Sequence, residues 1–309
     1  MASKMESNRI SRLMRGVFKV AGIGLFGVLP LRGQTSELKV AAVQFRSSFN
    51  LNDNQKRISE ILGQLASAQV QVAVFPECAL TGYDTDSAPS ASEKEIAAAE
   101  ENIGQICRDK KIAAVLGTVY KVNSHAYDAA DVFNSRGERV ERYGKIYLAG
   151  EKWAVPGNHI AYFDLEGVPS TVLICHDERY PDLVRLPALE GAQVVYYVSS
   201  ESSLKEESKL APYRAQMMAR AVENSVYVVA ANAPANHDLT GSHGQSRIIA
   251  RDGNILQEAS IFGDDVLIAT LELAPARSGW LQKSLQAPLG DWWRSGIDAM
   301  MANRHKQLE

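Results

Sequence analysis

The chain has 309 residues, 46% hydrophobic and 22% charged, with a formal net charge of −3. That is enough apolar sequence for one large core, with charge ordinary for a soluble globular protein. No basic stripe, fixed repeat or low-complexity tract points to nucleic-acid binding, a solenoid or a disordered scaffold.

Residues 1–37 read as a leader. Lys4, Arg9, Arg12, Arg15, Lys19 and Arg32 are set against Glu6 alone, and an apolar run follows from Val20 to Leu31. Basic then apolar is the order of an export signal, although the run is short for a spanning helix and shows neither a twin arginine nor a clean small-x-small cleavage site. Ile10, Leu13, Met14 and Val17 fall at helical spacing between arginines, which leaves a basic amphipathic surface helix or an organellar transit segment open; a disordered leader is the bland alternative. The order favours export or membrane association over a cytoplasmic location, with membrane contact through the leader alone.

From Leu38 onward, apolar runs alternate with helical patterns. Strands are predicted at 38–45, 71–75, 112–120, 127–134, 161–165, 171–174, 193–198, 226–232, 246–250, 255–259 and 265–273. Helices are predicted from about 51 to 68, near 92–109, from Pro181 to Glu190, and over 209–224 with Leu210, Met217 and Ala221 on one side. Nearly continuous apolar strands fit sheets covered on both faces, and the mixture of βα units with hairpins favours an α/β layered sandwich over a purely parallel sheet. The main domain is expected over 38–275. Residues 276–309, with Trp280, Trp292 and Trp293, form an extension that packs on something.

Three cysteines, Cys78, Cys107 and Cys175, are an odd number without close spacing, and the six histidines form no HExxH. Neither a metal nor a cofactor is expected. Cys175 ends a buried strand just before a turn and helix start, where following backbone N–H groups can meet developing negative charge. Glu77 ends the run VAVFPE, and apolar neighbours there would make its carboxylate usable as a base. Lys145, between Gly144 and an apolar run, can act as partner to Glu77 and as oxyanion donor. A core thiol, a strand-end Glu and a solvated Lys are the ordinary readings of each residue alone.

Together the segments resemble the nitrilase superfamily of carbon–nitrogen hydrolases. FPECALTGY (75–83) is similar to its glutamate motif, KIYL (145–148) to its lysine motif and CHDERYPD (175–182) to its cysteine motif. The likeness continues through 219–232 and 244–256. It implies an αββα sandwich, usually paired into a homodimer through the helix after the cysteine and the 209–224 region, where Met217, Met218 and Trp292 are candidates. It implies Cys175 as nucleophile, Glu77 as general base and acid, Lys145 with the His176 backbone N–H as oxyanion donors, and Glu151 as a second glutamate orienting substrate. Asp177 and Arg179 are expected to hold the cysteine turn, which would leave Arg179 committed and unavailable to an acidic substrate. Trp153, Tyr180, Ser200 and Glu201 are candidates for the pocket, and His176 with them.

The pattern departs from the family at Gly144, commonly Arg, and at Asp128, frequently Asn. His176 stands where true nitrilases usually carry Trp-Glu after the cysteine. A small linear amide or N-carbamoyl amine is therefore expected as substrate, ahead of a nitrile. An acyltransferase on the same scaffold and a non-catalytic binding protein are the rival readings.

Overall fold

The structure is a computed structural model, which describes residues 36–205, 210–273, 279–304, 306 and 308. The basic and apolar leader falls outside the described residues. Among the described residues, no helix is long and apolar enough to cross a membrane.

Two six-stranded sheets make up the centre. The first runs β12 (Asp265–Leu273), β1 (Ser36–Gln44), β2 (Val72–Val74), β3 (Ala113–Val122), β4 (His125–Phe133) and β5 (Arg139–Gly144). The second runs β11 (Ile255–Glu258), β10 (Arg247–Ile249), β9 (Tyr227–Asn232), β8 (Val194–Ser199), β7 (Val168–Ile174) and β6 (Phe163–Leu165). Within each sheet three strands are parallel, β1-β2-β3 and β7-β8-β9, and hairpins complete the edges.

The period-two alternation of these strands divides their side chains between layers. Val40, Ala42, Val72 and Val74 meet Val172, Ile174, Val194, Tyr196 and Val198 between the sheets. Ala41, Val43 and Ala73 turn outward, with Ile58, Leu62, Ala99 and Ile103 from α1 (Leu51–Ser67) and α2 (Glu93–Lys110). Leu173, Val195 and Tyr197 turn the other way, with Leu183, Val184, Met217 and Ala221 from α3 (Asp182–Glu190) and α4 (Leu210–Asn224). Each fully buried Val, Leu or Ile contributes about 1.5–3 kcal/mol before chain entropy is set against it. The result is the expected four-layer αββα sandwich.

Local chemistry fixes the helix starts. The Asn50 side chain caps α1 by accepting from the Asp53 N–H, and Ser92 with Glu95 forms a capping box on α2. The extension forms α5 (Gly279–Gln286) and α6 (Gly290–Ala302), whose Leu281, Ile297 and Met300 pack on Leu186 and Leu189 of α3.

Three expectations need correction. The strand β5 escapes a hydrophobic pattern because RVERYG is half charged; Arg142 is half-buried there and held by ion pairs instead of apolar contacts. Met217 is only 2% exposed and belongs to the core, so it cannot supply a dimer face. The outer side of α3, also expected in that face, is covered by this chain's own α5 and α6. Trp292 is exposed, Trp293 packs partly under it, and the Trp280 side chain lies outside the described residues.

Candidate active site

Both sets of parallel strands end at the same place, and the chemistry collects there. β2 runs through Phe75 and Pro76 to Glu77, in a turn closed by backbone bonds from Ala79 to Pro76 and from Gly82 to Cys78. β3 passes directly beneath that turn. A Cβ on Gly117 would stand 2.0 Å from the Pro76 carbonyl oxygen and 2.7 Å from the Glu77 Cα, so only glycine lets the strand approach. Lys145 follows β5, its N–H donating to the Asp128 carbonyl and its own carbonyl accepting from Gly157. Gly144 makes no room for the arginine common in the family: Gly157 and Leu308 lie 3.2 Å from where its Cβ would be.

Glu77, Lys145 and Glu151 are brought together and buried. The Lys145 Nζ donates to Glu77 Oε1 at 2.6 Å and to Glu151 Oε1 at 2.5 Å, and stands 3.3 Å from Asp128 Oδ2. Glu77 Oε2 accepts from the Ser200 N–H at 2.6 Å, so β8 in the second sheet anchors the carboxylate of the first. Glu151 also accepts from the Tyr83 hydroxyl at 2.9 Å and from the Ala149 N–H at 2.6 Å. Glu77, Asp128 and Glu151 are the kind of trio that could hold a metal ion. The Lys145 ammonium already occupies the cationic position among them.

The charges explain each other. Burial works against the Lys145 ammonium, but Glu77, a Cys175 thiolate, Asp128 and Glu151 together hold its pKa well above the ordinary value. Burial also disfavours the Glu151 anion, yet Lys145 and the Ala149 N–H keep it below the usual carboxylate range. Asp128 goes the other way: burial first, then Glu77, raises its pKa well above normal. Sequence reasoning noticed Asp128 only as a replacement for Asn. A neutral aspartic acid has the shape of asparagine and also a proton to donate, which is the signal that could have placed it in the site.

Cys175 follows β7 directly and opens a 3-10 turn (Cys175–Arg179) with φ of +45°, a left-handed conformation that a non-glycine residue keeps only when its surroundings enforce it. Asp177 enforces part of it. Its carboxylate accepts from Tyr143 Oη at 2.7 Å, the Tyr147 N–H at 2.9 Å and the Ile174 N–H at 3.4 Å, which ties the cysteine turn to the lysine loop. Burial pushes Asp177 up to about 6 against those hydrogen bonds. The Cys175 thiol is raised well above its usual range, by burial and then by Glu77, while Lys145 pulls it down. A thiol in that state needs a base to take its proton, and Glu77 is the carboxylate with the largest effect on it.

The remaining candidates separate. Ser200 contributes its backbone N–H to Glu77. Glu201 is not a free pocket group, because Tyr197 and His243 hold both its oxygens. Trp153 is fixed by its indole N–H on the Asp84 carbonyl, and Tyr180 stacks on Tyr147 with the His176 ring edge-on. Arg179 contradicts its expected role. It is exposed, donates to the Tyr213 hydroxyl at 3.1 Å, and has no carboxylate at ion-pair distance among the described residues.

Residues 39–279 match the carbon-nitrogen hydrolase family. The chain is 27% identical to 2-oxoglutaramate amidase of Bacillus subtilis over 224 residues, which are 71% of this chain and 85% of that protein. It is 24% identical to omega-amidase NIT2-B of Xenopus laevis over 252 residues, 77% of this chain and 90% of that one. Among solved structures, an amidase from Nesterenkonia sp. superposes with a TM-score of 0.72 at 23% identity, covering 87% of this chain and 98% of that chain. At that identity the superposition speaks for the fold.

Proposed function

Because the chain belongs to the carbon-nitrogen hydrolase family, we propose that it hydrolyses a small linear amide through a thioester on Cys175, with N-carbamoyl amines as the second substrate class. The observation that carries this reading is the convergence of Glu77 and Glu151 on one buried lysine beside a cysteine at a strand end. In a Glu-to-Gln mutant of the amidase from Nesterenkonia sp., the acetamide moiety of fluoroacetamide is found added covalently at the active-site cysteine.

The arrangement supports the following steps. Glu77 takes the Cys175 proton as the sulfur attacks the amide carbon. The oxyanion that forms is held by the Lys145 ammonium and the His176 N–H. When the tetrahedral intermediate collapses, Glu77 returns its proton to the nitrogen and ammonia or an amine departs. Glu77 then takes a proton from water, which attacks the thioester, and the released thiolate recovers that proton. Lys145 stays charged throughout, because the Glu151 carboxylate keeps its contact with the ammonium while Glu77 gains and loses its proton. Glu151 keeps the ammonium aimed.

Arg179 narrows the substrate. Burial works against its charge, but the Tyr213 hydroxyl, then Glu178 and last a Cys175 thiolate raise its pKa, which puts the guanidinium within electrostatic reach of Cys175. An exposed arginine at that place suits a carboxylate at the far end of a short amide, and the names of the amidase relatives fit such a molecule. Succinamate should be preferred to butyramide, and Arg179→Gln should raise KM for succinamate roughly tenfold or more while leaving butyramide unchanged. Intact-mass measurement during turnover tests the thioester. An acyl adduct on the wild type that is missing from Cys175→Ala supports it; substrate consumption by Cys175→Ala would overturn it.

Two further parts of the reading concern the whole protein. We propose self-association through the outer face of α4, where Val222 is exposed, together with Trp292 on α6; light scattering at micromolar concentration should then exceed the 33.8 kDa of one chain. The leader is proposed as an export or membrane-association signal, which fractionation of cells expressing the full chain would check.

A further inference from the structure

Glu77 and Lys145 reach Cys175 from the first sheet. A second group of buried polar side chains reaches it from the helix-facing side of the second sheet, and the mechanism above makes no use of it. Tyr197 on β8 is 2% exposed, and its hydroxyl lies 3.1 Å from the Cys175 carbonyl oxygen and 2.9 Å from Glu201 Oε1. Glu201 Oε2 lies 2.6 Å from His243 Nε2. His243 Nδ1 lies 3.1 Å from the Ser202 carbonyl oxygen, which can only accept, so that nitrogen carries a proton. A bare ring nitrogen 2.6 Å from a carboxylate oxygen would repel it, so one further proton belongs to the His243–Glu201 pair, held as an ion pair rather than an aligned hydrogen bond.

A phenol has a single proton to give. Tyr197 faces the Glu201 carboxylate and the Cys175 carbonyl, with the Glu178 carboxyl also in hydrogen-bond reach of its oxygen, and how much of the proton the carbonyl receives depends on the charge that Glu201 carries. A bare Glu201 carboxylate draws the hydroxyl to itself. With its charge engaged by a protonated His243, Glu201 leaves more of the hydroxyl for the carbonyl. The carbonyl matters because it belongs to the residue held at φ of +45°, and turning that peptide swings the sulfur away from its aim.

We propose that Tyr197 is a positioning residue for the nucleophile: its hydroxyl, oriented by the Glu201–His243 pair, pins the Cys175 carbonyl and with it the backbone conformation that presents the sulfur. The inference rests on Cys175 being the nucleophile. Other charged groups surround the pair. Glu178, on the cysteine turn, is buried and pushed up to about 9 by desolvation and then by Glu201, so it is neutral at ordinary pH. Arg247 on β10 acts on both Glu201 and His243. Arg220 on α4 donates to the Glu178 carbonyl at 2.9 and 3.1 Å and steadies the same turn from the helix layer. Burial works against the His243 imidazolium, but Glu201 holds its pKa above the ordinary value. The pair therefore keeps its shared proton at low pH and loses it as the pH rises through the raised value.

The test is the rate of Cys175 alkylation by iodoacetamide across pH, with kcat and KM for one amide, in wild type, Tyr197→Phe and Glu201→Gln. Tyr197→Phe keeps the ring and removes the hydroxyl. It should lose roughly tenfold to a hundredfold in kcat and a similar factor in alkylation, with KM nearly unchanged. Glu201→Gln keeps an oxygen for the tyrosine but cannot ionise, so the inflection from the pair should vanish from its alkylation profile. Tyr197→Phe matching wild type within about twofold in both readouts would overturn the proposal. Should Tyr197→Phe fail to fold, an unchanged pH profile in Glu201→Gln overturns it equally. If wild-type Cys175 reacts no faster than Cys78 and no amide is consumed, the assignment of the nucleophile fails, and the role of Tyr197 falls with it.

Discussion

Arg142 and Lys145 stand three residues apart, and each is a cation drawn into the protein by carboxylates. Arg142 meets Asp131 in a fork at 2.6 Å on both oxygens, bonds Glu100, and lies 3.9 Å from the centre of the Tyr120 ring. Arg139 joins the same two acids at 3.4 and 3.7 Å, so two cations answer two acids, of which burial and then Asp131 push Glu100 up to about 8. Lys145 is a single cation among Glu77, Asp128 and Glu151. Such a group cannot ionise completely, and burial selects Asp128 as the acid that keeps its proton. The balanced cluster holds strands and a helix together. The unbalanced one keeps a proton beside a base.

The sharpest way to break this contrast is to remove each cation in turn. Lys145→Met should lower kcat by about a hundredfold or more and destabilise the fold by about 3–5 kcal/mol, since buried acids lose their partner. Arg142→Met should cost a similar about 3–5 kcal/mol in urea titrations, with kcat per folded molecule unchanged. Equal loss of kcat in both would show that the two clusters are one working unit.

Smaller changes sharpen the contrast. Gly117→Ala puts a methyl into the Glu77 turn, which should cost about 1–3 kcal/mol and lower kcat beyond the loss of folded protein. Asp128→Asn is the mildest. The raised Asp128 pKa gives stability that is complete below the unfolded carboxylate value and is lost as pH rises through the folded one. Asparagine cannot ionise, so the variant should keep its activity and exceed wild type on the alkaline side by at least about 1 kcal/mol, as denaturant titrations from neutral to alkaline pH would read.

Glu77, Glu151 and Cys175 were legible because each follows a recognisable apolar run, and Lys145 because it precedes one; the end of such a run is where a side chain leaves the core. Their partners were not legible. Ser200 serves Glu77 through a backbone N–H, which no side-chain chemistry announces. Tyr197 and His243 are far apart in sequence and meet only through Glu201. Of the two residues expected to hold the cysteine turn, Asp177 does so through Tyr143 and Tyr147, whereas Arg179 points to Tyr213, a direction that position in sequence does not give. The strand pattern succeeded wherever burial was apolar, and failed at β5, where ion pairs do that work.

The burial of the three cysteines makes a stoichiometric gauge. Cys78 and Cys107 are fully enclosed, whereas Cys175 is partly open to solvent. A mild thiol reagent should therefore count one sulfur per native chain and three per unfolded chain. Loss of the first count on incubation with a slowly hydrolysed amide would number the working sites, and growth toward the second would meter unfolding in the same tube.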